Sequence, residues 1–167
     1  NEMAKVETRY LYDTAQLVLS YEVYHPNGTI ALRRARADST KGGAYTRFYP
    51  NGEKQEEGFL CLATASTDST LASEQSCGER RTYHENGQLK EITHFKNGKQ
   101  EGEYRSFHPN GKPHIVSQKA NDLYTGAYTE TDENGELIAT GTYSTDGKRT
   151  GKWRERNAKG KVKKVTY

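Results

Sequence analysis

Apolar and polar residues alternate along most of this chain. In QLKEITHF, Leu89, Glu91, Thr93 and Phe95 share one face of an extended strand, and in ELIATGTY the same holds for Leu137, Ala139, Gly141 and Tyr143. β-branched and aromatic residues fill these stretches, and glycines break them at short intervals, which opposes any helical reading. The pattern predicts strands joined by tight turns, with helix content near nil.

The turns fall in register. Asn-Gly occurs at Asn27-Gly28, Asn51-Gly52, Asn86-Gly87, Asn110-Gly111 and Asn134-Gly135, and Lys159-Gly160 completes the series with steps of 24, 35, 24, 24 and 25 residues. A second glycine lies nine positions before each of the last five anchors, at Gly43, Gly78, Gly102, Gly126 and Gly151. Asn-Gly predicts a type I′ hairpin turn, with both central residues at positive φ. Seven residues before the anchor glycine stand Tyr21, Tyr45, Arg80, Tyr104, Tyr128 and Trp153; four before it stand Tyr24, Phe48, Tyr83, Phe107, Thr131 and Arg156. Columns three apart lie on opposite faces of a strand, so both faces of the sheet carry rings. The expected fold is all-β: an elongated, twisted antiparallel meander of about six hairpins, each unit touching mainly its neighbours.

The run YHENGQLKEITHFKNGKQEGEYRSFHPNG resembles the bacterial MORN-repeat variant family, and the resemblance extends over roughly residues 19–167. Arg80, Thr131, Arg156 and Lys159 depart from the pattern. Residues 1–18, with Tyr10, Leu11 and Tyr12, are expected to form an opening strand or cap, and residues 19–167 a single repeat domain. The resemblance implies a protein-binding scaffold of the antitoxin-like or immunity type, which neutralises a cognate secreted effector such as a lipase by occluding its active site. It also brings the older description of such repeats as lipid-associated modules.

Composition supports a thin structure. Only 32% of the 167 residues are hydrophobic, mean hydropathy is −1.05, and twelve tyrosines stand against one tryptophan and one methionine. Much of the apolar surface therefore comes from rings with a polar tip. Net charge is +3, too mild to demand nucleic acid. The basic residues gather at the end: Lys148, Arg149, Lys152, Arg154, Arg156, Lys159, Lys161, Lys163 and Lys164 face only Asp146 and Glu155 nearby. That end suits an acidic partner or weak contact with an anionic membrane, and it also guards a sheet edge against pairing.

The single long step places about eleven extra residues between Gly52 and Gly78, an insertion at about 58–78 bracketed by Cys61 and Cys77. A lengthened hairpin brings the two cysteines within disulfide reach, which implies an oxidising compartment, the periplasm or cell surface. Two separate buried thiols in the cytoplasm are the alternative. Neither cysteine has a Cys-x-x-Cys or histidine neighbour to suggest a metal.

His25, His84 and His108 share a column three residues before the anchor glycine. Equivalent positions two strands apart are separated by about 9 to 10 Å, too far to share one ion, and solvated histidines packed on neighbouring rings are expected instead. Glu56-Glu57 and Asp132-Glu133 read as solvated charges at loops or strand ends, because adjacent strand residues point apart. No catalytic, metal or cofactor residue is expected, and the chain reads as a non-enzyme. Partner contact is assigned to Phe59 and Leu60 of the insertion and to Tyr45, Tyr83, Tyr104, Phe107 and Trp153.

Overall fold

A computed structural model describes residues 7–12, 14, 18–35, 42–63 and 73–167. Among these residues thirteen strands form one sheet in sequential order, every neighbouring pair antiparallel. They are β1 (Thr8–Tyr12), β2 (Val18–Tyr24), β3 (Ile30–Ala35), β4 (Gly43–Phe48), β5 (Lys54–Leu62), β6 (Glu74–Tyr83), β7 (Leu89–Lys96), β8 (Lys99–Phe107), β9 (Pro113–Ala120), β10 (Leu123–Thr131), β11 (Leu137–Tyr143), β12 (Arg149–Arg156) and β13 (Val162–Thr166). No helix occurs among the described residues. The six anchors close six hairpins, from β2–β3 to β12–β13, and β1 adds an opening strand. At the usual strand spacing the sheet extends about 58 Å.

The anchor turns are not the expected type I′. At the first, the Gly28 N–H donates to His25 O over 2.9 Å and the His25 N–H to Thr29 O over 2.7 Å. Gly28 is left-handed at φ +84, while Asn27 is not. This is a type I turn closed by a glycine bulge. Pro26 supplies the fixed φ that the turn's second position needs. Asn27 serves through its side chain: Oδ1 accepts the Thr29 N–H, and Nδ2 donates to Pro50 O of the next unit. Two-residue left-handed turns do occur, on the opposite side of the sheet, at Asn97-Gly98 (φ 52 and 76) and Asn121-Asp122 (φ 49 and 70).

The second glycine opens a bulge. Across β11 and β12, Thr140 pairs with Arg154 and Thr142 with Thr150, so β12 carries two extra residues opposite Gly141. The β5–β6, β7–β8 and β9–β10 pairs show the same two-residue excess. Such bulges bend the strand and turn the ring two residues after the glycine onto its neighbour. The row running across the sheet reads Tyr45, Gly58, Arg80, Thr93, Tyr104, Ser117, Tyr128, Gly141, Trp153, so large groups alternate with small ones. Tyr45, Tyr104, Tyr128 and Trp153 are buried, as are Thr93 and Ser117 between them. This ring face is the core.

Rings touch in sequence along it. Tyr104 meets Tyr124, Tyr124 meets Tyr128 and Tyr143, Tyr143 meets Trp153 and Trp153 meets Tyr167, with centroids 5.1–6.0 Å apart. The centre is Trp153, Tyr128 and Ala139, supported by Ile115 and Val165.

Gly141 makes a sharp test of this packing. A Cβ there would lie 2.2 Å from Trp153 Cδ2, and the indole is held by Tyr128, Tyr143 and Tyr167. Gly141→Ala should therefore cost about 3 kcal/mol by overpacking. Gly135→Ala, at a turn with φ +86 and open space around the site, should cost about 1 kcal/mol from backbone strain alone. Urea denaturation of both variants checks the order, and equal losses would contradict the seating of Trp153 on Gly141.

Candidate protein-binding face

The two faces of the sheet do different work. Face A is the ring face just described. Face B carries the alternate row Glu22, Arg33, Thr46, Glu57, Arg81, Ile92, Arg105, Val116, Thr129, Thr140, Arg154 and Lys164, paired strand to strand across twelve strands. Arg33, Arg81, Arg105, Val116, Arg154 and Lys164 of this row are exposed.

The residues assigned to partner contact divide between the faces. On face A, Trp153 has 0% exposure, Tyr45 6% and Tyr104 9%, and Leu60 is half-buried on the same face. On face B, Phe59, Tyr83 and Phe107 are half-buried and keep part of their rings accessible. A register shift at the second-column residue of the first five hairpins, as between Thr82 and Tyr83, sets Tyr83 and Phe107 at the turn end of the strand.

Tyrosines and glutamates pair on both faces. On face A the Tyr45 hydroxyl donates to Glu56, and the Tyr104 hydroxyl donates to Glu91 over 3.2 Å. On face B the Tyr83 hydroxyl donates to Glu57. Glu56 and Glu57 do point to opposite faces, but both are half-buried phenol acceptors within β5, not solvated strand-end charges. Burial, with Glu57 beside it, pushes the Tyr83 phenol up to about 12. Hydrogen bonds from Lys54 and Tyr83 hold the Glu57 carboxyl below its ordinary value. Burial also raises Tyr45, Tyr104 and Tyr128.

Arg80 takes a ring's place in the face A row. Its guanidinium sits 4.5 Å from the Phe95 centroid and 3.8 Å from Glu91, while its buried Nε has no partner among the described residues. A groove of about 410 Å³ lies over this point, lined by Arg47, Glu56, Arg80, Lys90 and Glu91 among others.

The histidine column is structural: its members are half-buried, each is bonded to the next unit, and His108 packs on the His114 ring. His25 Nε2 donates to Phe48 O, His84 Nε2 to Phe107 O and His108 Nε2 to Thr131 O, at 2.8–2.9 Å. Tyr49 fills the same column in the second unit, and its hydroxyl donates to Tyr83 O. Asn51, Asn86 and Asn110 add a parallel ladder, each side-chain amide donating to the next unit's turn. These bonds clip consecutive turns together.

A disulfide joins Cys61 and Cys77, with Cα atoms 5.8 Å apart. Phe59 pairs with Cys77 and Cys61 with Gln75, so the bridge runs diagonally across the β5–β6 ladder. β5 and β6 are only slightly longer than β7 and β8, at 9 and 10 residues against 8 and 9. The rest of the insertion lies in the connector between them, of which 64–72 fall outside the described residues.

These units match a known repeat. Three stretches fit the MORN repeat variant, residues 41–60, 76–97 and 100–117. No curated protein matches the chain. The MORN-variant stretches span β4–β5, β6–β7 and the start of β8–β9, the hairpins that hold Tyr45, Arg80 and Tyr104. They identify repeats of a binding-scaffold type, and the disulfide is compatible with an oxidising compartment.

The small column six residues after the second to fifth anchors, Gly58, Thr93, Ser117 and Gly141, escaped the sequence reading. Aligning the second strand of each hairpin as well as the first exposes it.

Two outcomes test the site. Glu57 titrates lower in the folded protein than in the unfolded chain, so its contribution is present above about pH 4.3 and lost as pH falls through the lowered value. Glu57→Gln should lower Tm at pH 7, with the gap to the parent closing below pH 4; a gap independent of pH would contradict the Tyr83–Glu57–Lys54 arrangement. Replacing Cys61 and Cys77 by Ser should cost about 3 kcal/mol in the chain-entropy model, measured by denaturant unfolding with and without reductant; reductant should leave the double variant unchanged.

Proposed function

We propose that this chain is a non-catalytic scaffold that binds a partner protein along face B, acting as an immunity protein that covers the active site of a cognate secreted effector. The observation that carries the reading is the face B row. A single sheet fixed by ring seating on one side and by clipped turns presents twelve aligned side chains on the other. Such a surface is already ordered and loses little entropy on docking. Arginine and aromatic residues, which concentrate binding energy at interfaces, recur on it as Arg33, Arg81, Arg105, Tyr83 and Phe107. The resemblance to antitoxin-like repeats supplies the effector class, and the disulfide favours a periplasmic or cell-surface setting.

Co-expression with the product of the adjacent reading frame tests this. Rescue from its toxicity, with a stable complex on gel filtration, is expected. In addition, Arg81→Ala with Arg105→Ala should weaken the complex at least tenfold while Tm changes little. A neighbour that is harmless, or that is toxic but unbound, would sink the immunity reading.

A further inference from the structure

The basic end of the chain resolves into paired and unpaired cations. Asp146 binds Lys148 at 2.8 Å, Glu155 binds Arg149 at 2.7 Å, and Asp132 and Glu136 both bind Arg156. Lys152, Arg154 and Lys164 pair with no carboxylate among the described residues. All three lie on face B, because Arg154 is paired with Thr140 on one side and Lys164 on the other, and Lys152 with Thr166. The strands beneath them carry one acid, Glu155, and it belongs to face A, where Arg149 and the Tyr167 hydroxyl occupy it. The cations border a hollow of about 440 Å³ whose other side chains include Thr140, Thr142 and Thr166.

We propose that this hollow is the docking site for an extended acidic segment of the partner protein, an inference that rests on the scaffold reading above. Arg154 and Lys164 stand directly opposite each other, an arrangement that destabilises a sheet when both charges have the same sign. Guarding the sheet edge explains lysines on β13, but Lys152 and Arg154 are on the strand inside it. An anion between them removes the repulsion. Lys152 and Arg154 are two residues apart, about 6.8 Å along the strand, which matches the spacing of carboxylates at alternate positions of an extended peptide. Nucleic acid fits poorly, since stacking needs accessible rings and Trp153 is buried on the other face against Tyr143 and Tyr167. A bilayer fits less well, since interfacial binding needs a broad exposed apolar face beside the cations, and here Thr140, Thr142 and Thr166 flank them, with Val162 an exposed apolar neighbour on the same face.

The probe is a labelled ten-residue peptide of alternating Glu and Thr, titrated into the full chain by fluorescence anisotropy at 20 mM and 300 mM salt. Binding at low salt, weakened at high salt, is expected. The variant K152Q/R154Q/K164Q should lose at least tenfold in affinity, while K159Q/K161Q/K163Q, with the same change in charge, should lose less than threefold. Arg154→Gln alone should raise Tm while weakening the peptide. No peptide binding, or equal loss in both triple variants, would overturn the proposal, as would tighter binding to phosphatidylserine vesicles or to a single-stranded oligonucleotide than to the peptide. The scaffold reading fails separately, through the adjacent gene product remaining unbound.

Discussion

Among the described residues a single sheet has no second layer over its large side chains, so each ring is buried by its own neighbours in the sheet. Everything else in this protein follows from that constraint. Trp153 reaches 0% exposure because Gly141 leaves room beneath the indole and because Tyr128, Tyr143 and Tyr167 surround it. The bulge glycines make such seating possible, since the two extra residues bend the strand and carry the ring over the small partner. Burial against small residues replaces the second sheet of a sandwich.

The same constraint accounts for the polar design. Rings on a thin layer keep their hydroxyls near water, and a half-buried hydroxyl needs a partner. Tyr45, Tyr83, Tyr104 and Tyr128 each find a glutamate. Between units, the His25, His84 and His108 donors and the asparagine amides add to the strand ladders and join one turn to the next. The turns act as clips along one side of the sheet, and each unit depends on its immediate neighbours.

Regularity fails where the chain departs from the repeat, and those departures give the protein its character. Arg80 breaks the ring column beside the disulfide, leaving the continuous aromatic ladder to the C-terminal half from Tyr104 onward. At the C-terminal end the acids are drawn to face A and the turns, which leaves three cations on face B without a carboxylate partner among the described residues. One face is therefore spent on stability and the other is available for contact.

The sequence by itself determined the all-β class, the six hairpins, the register of the anchors and the cysteine pair within reach, because these depend on local spacing and on alternation along single strands. It misread the anchor turns, since Asn-Gly speaks for type I′ until Pro26 and the inter-unit bond from Asn27 are seen together. It also missed the hydrogen-bond partners of the histidines and of Glu56-Glu57, because those partners lie about a full repeat away or across the ladder. Only the tertiary structure decided which rings are core and which cations stand unopposed. Both depend on which face a residue occupies after the two-residue bulges, and on what the neighbouring strand places against it.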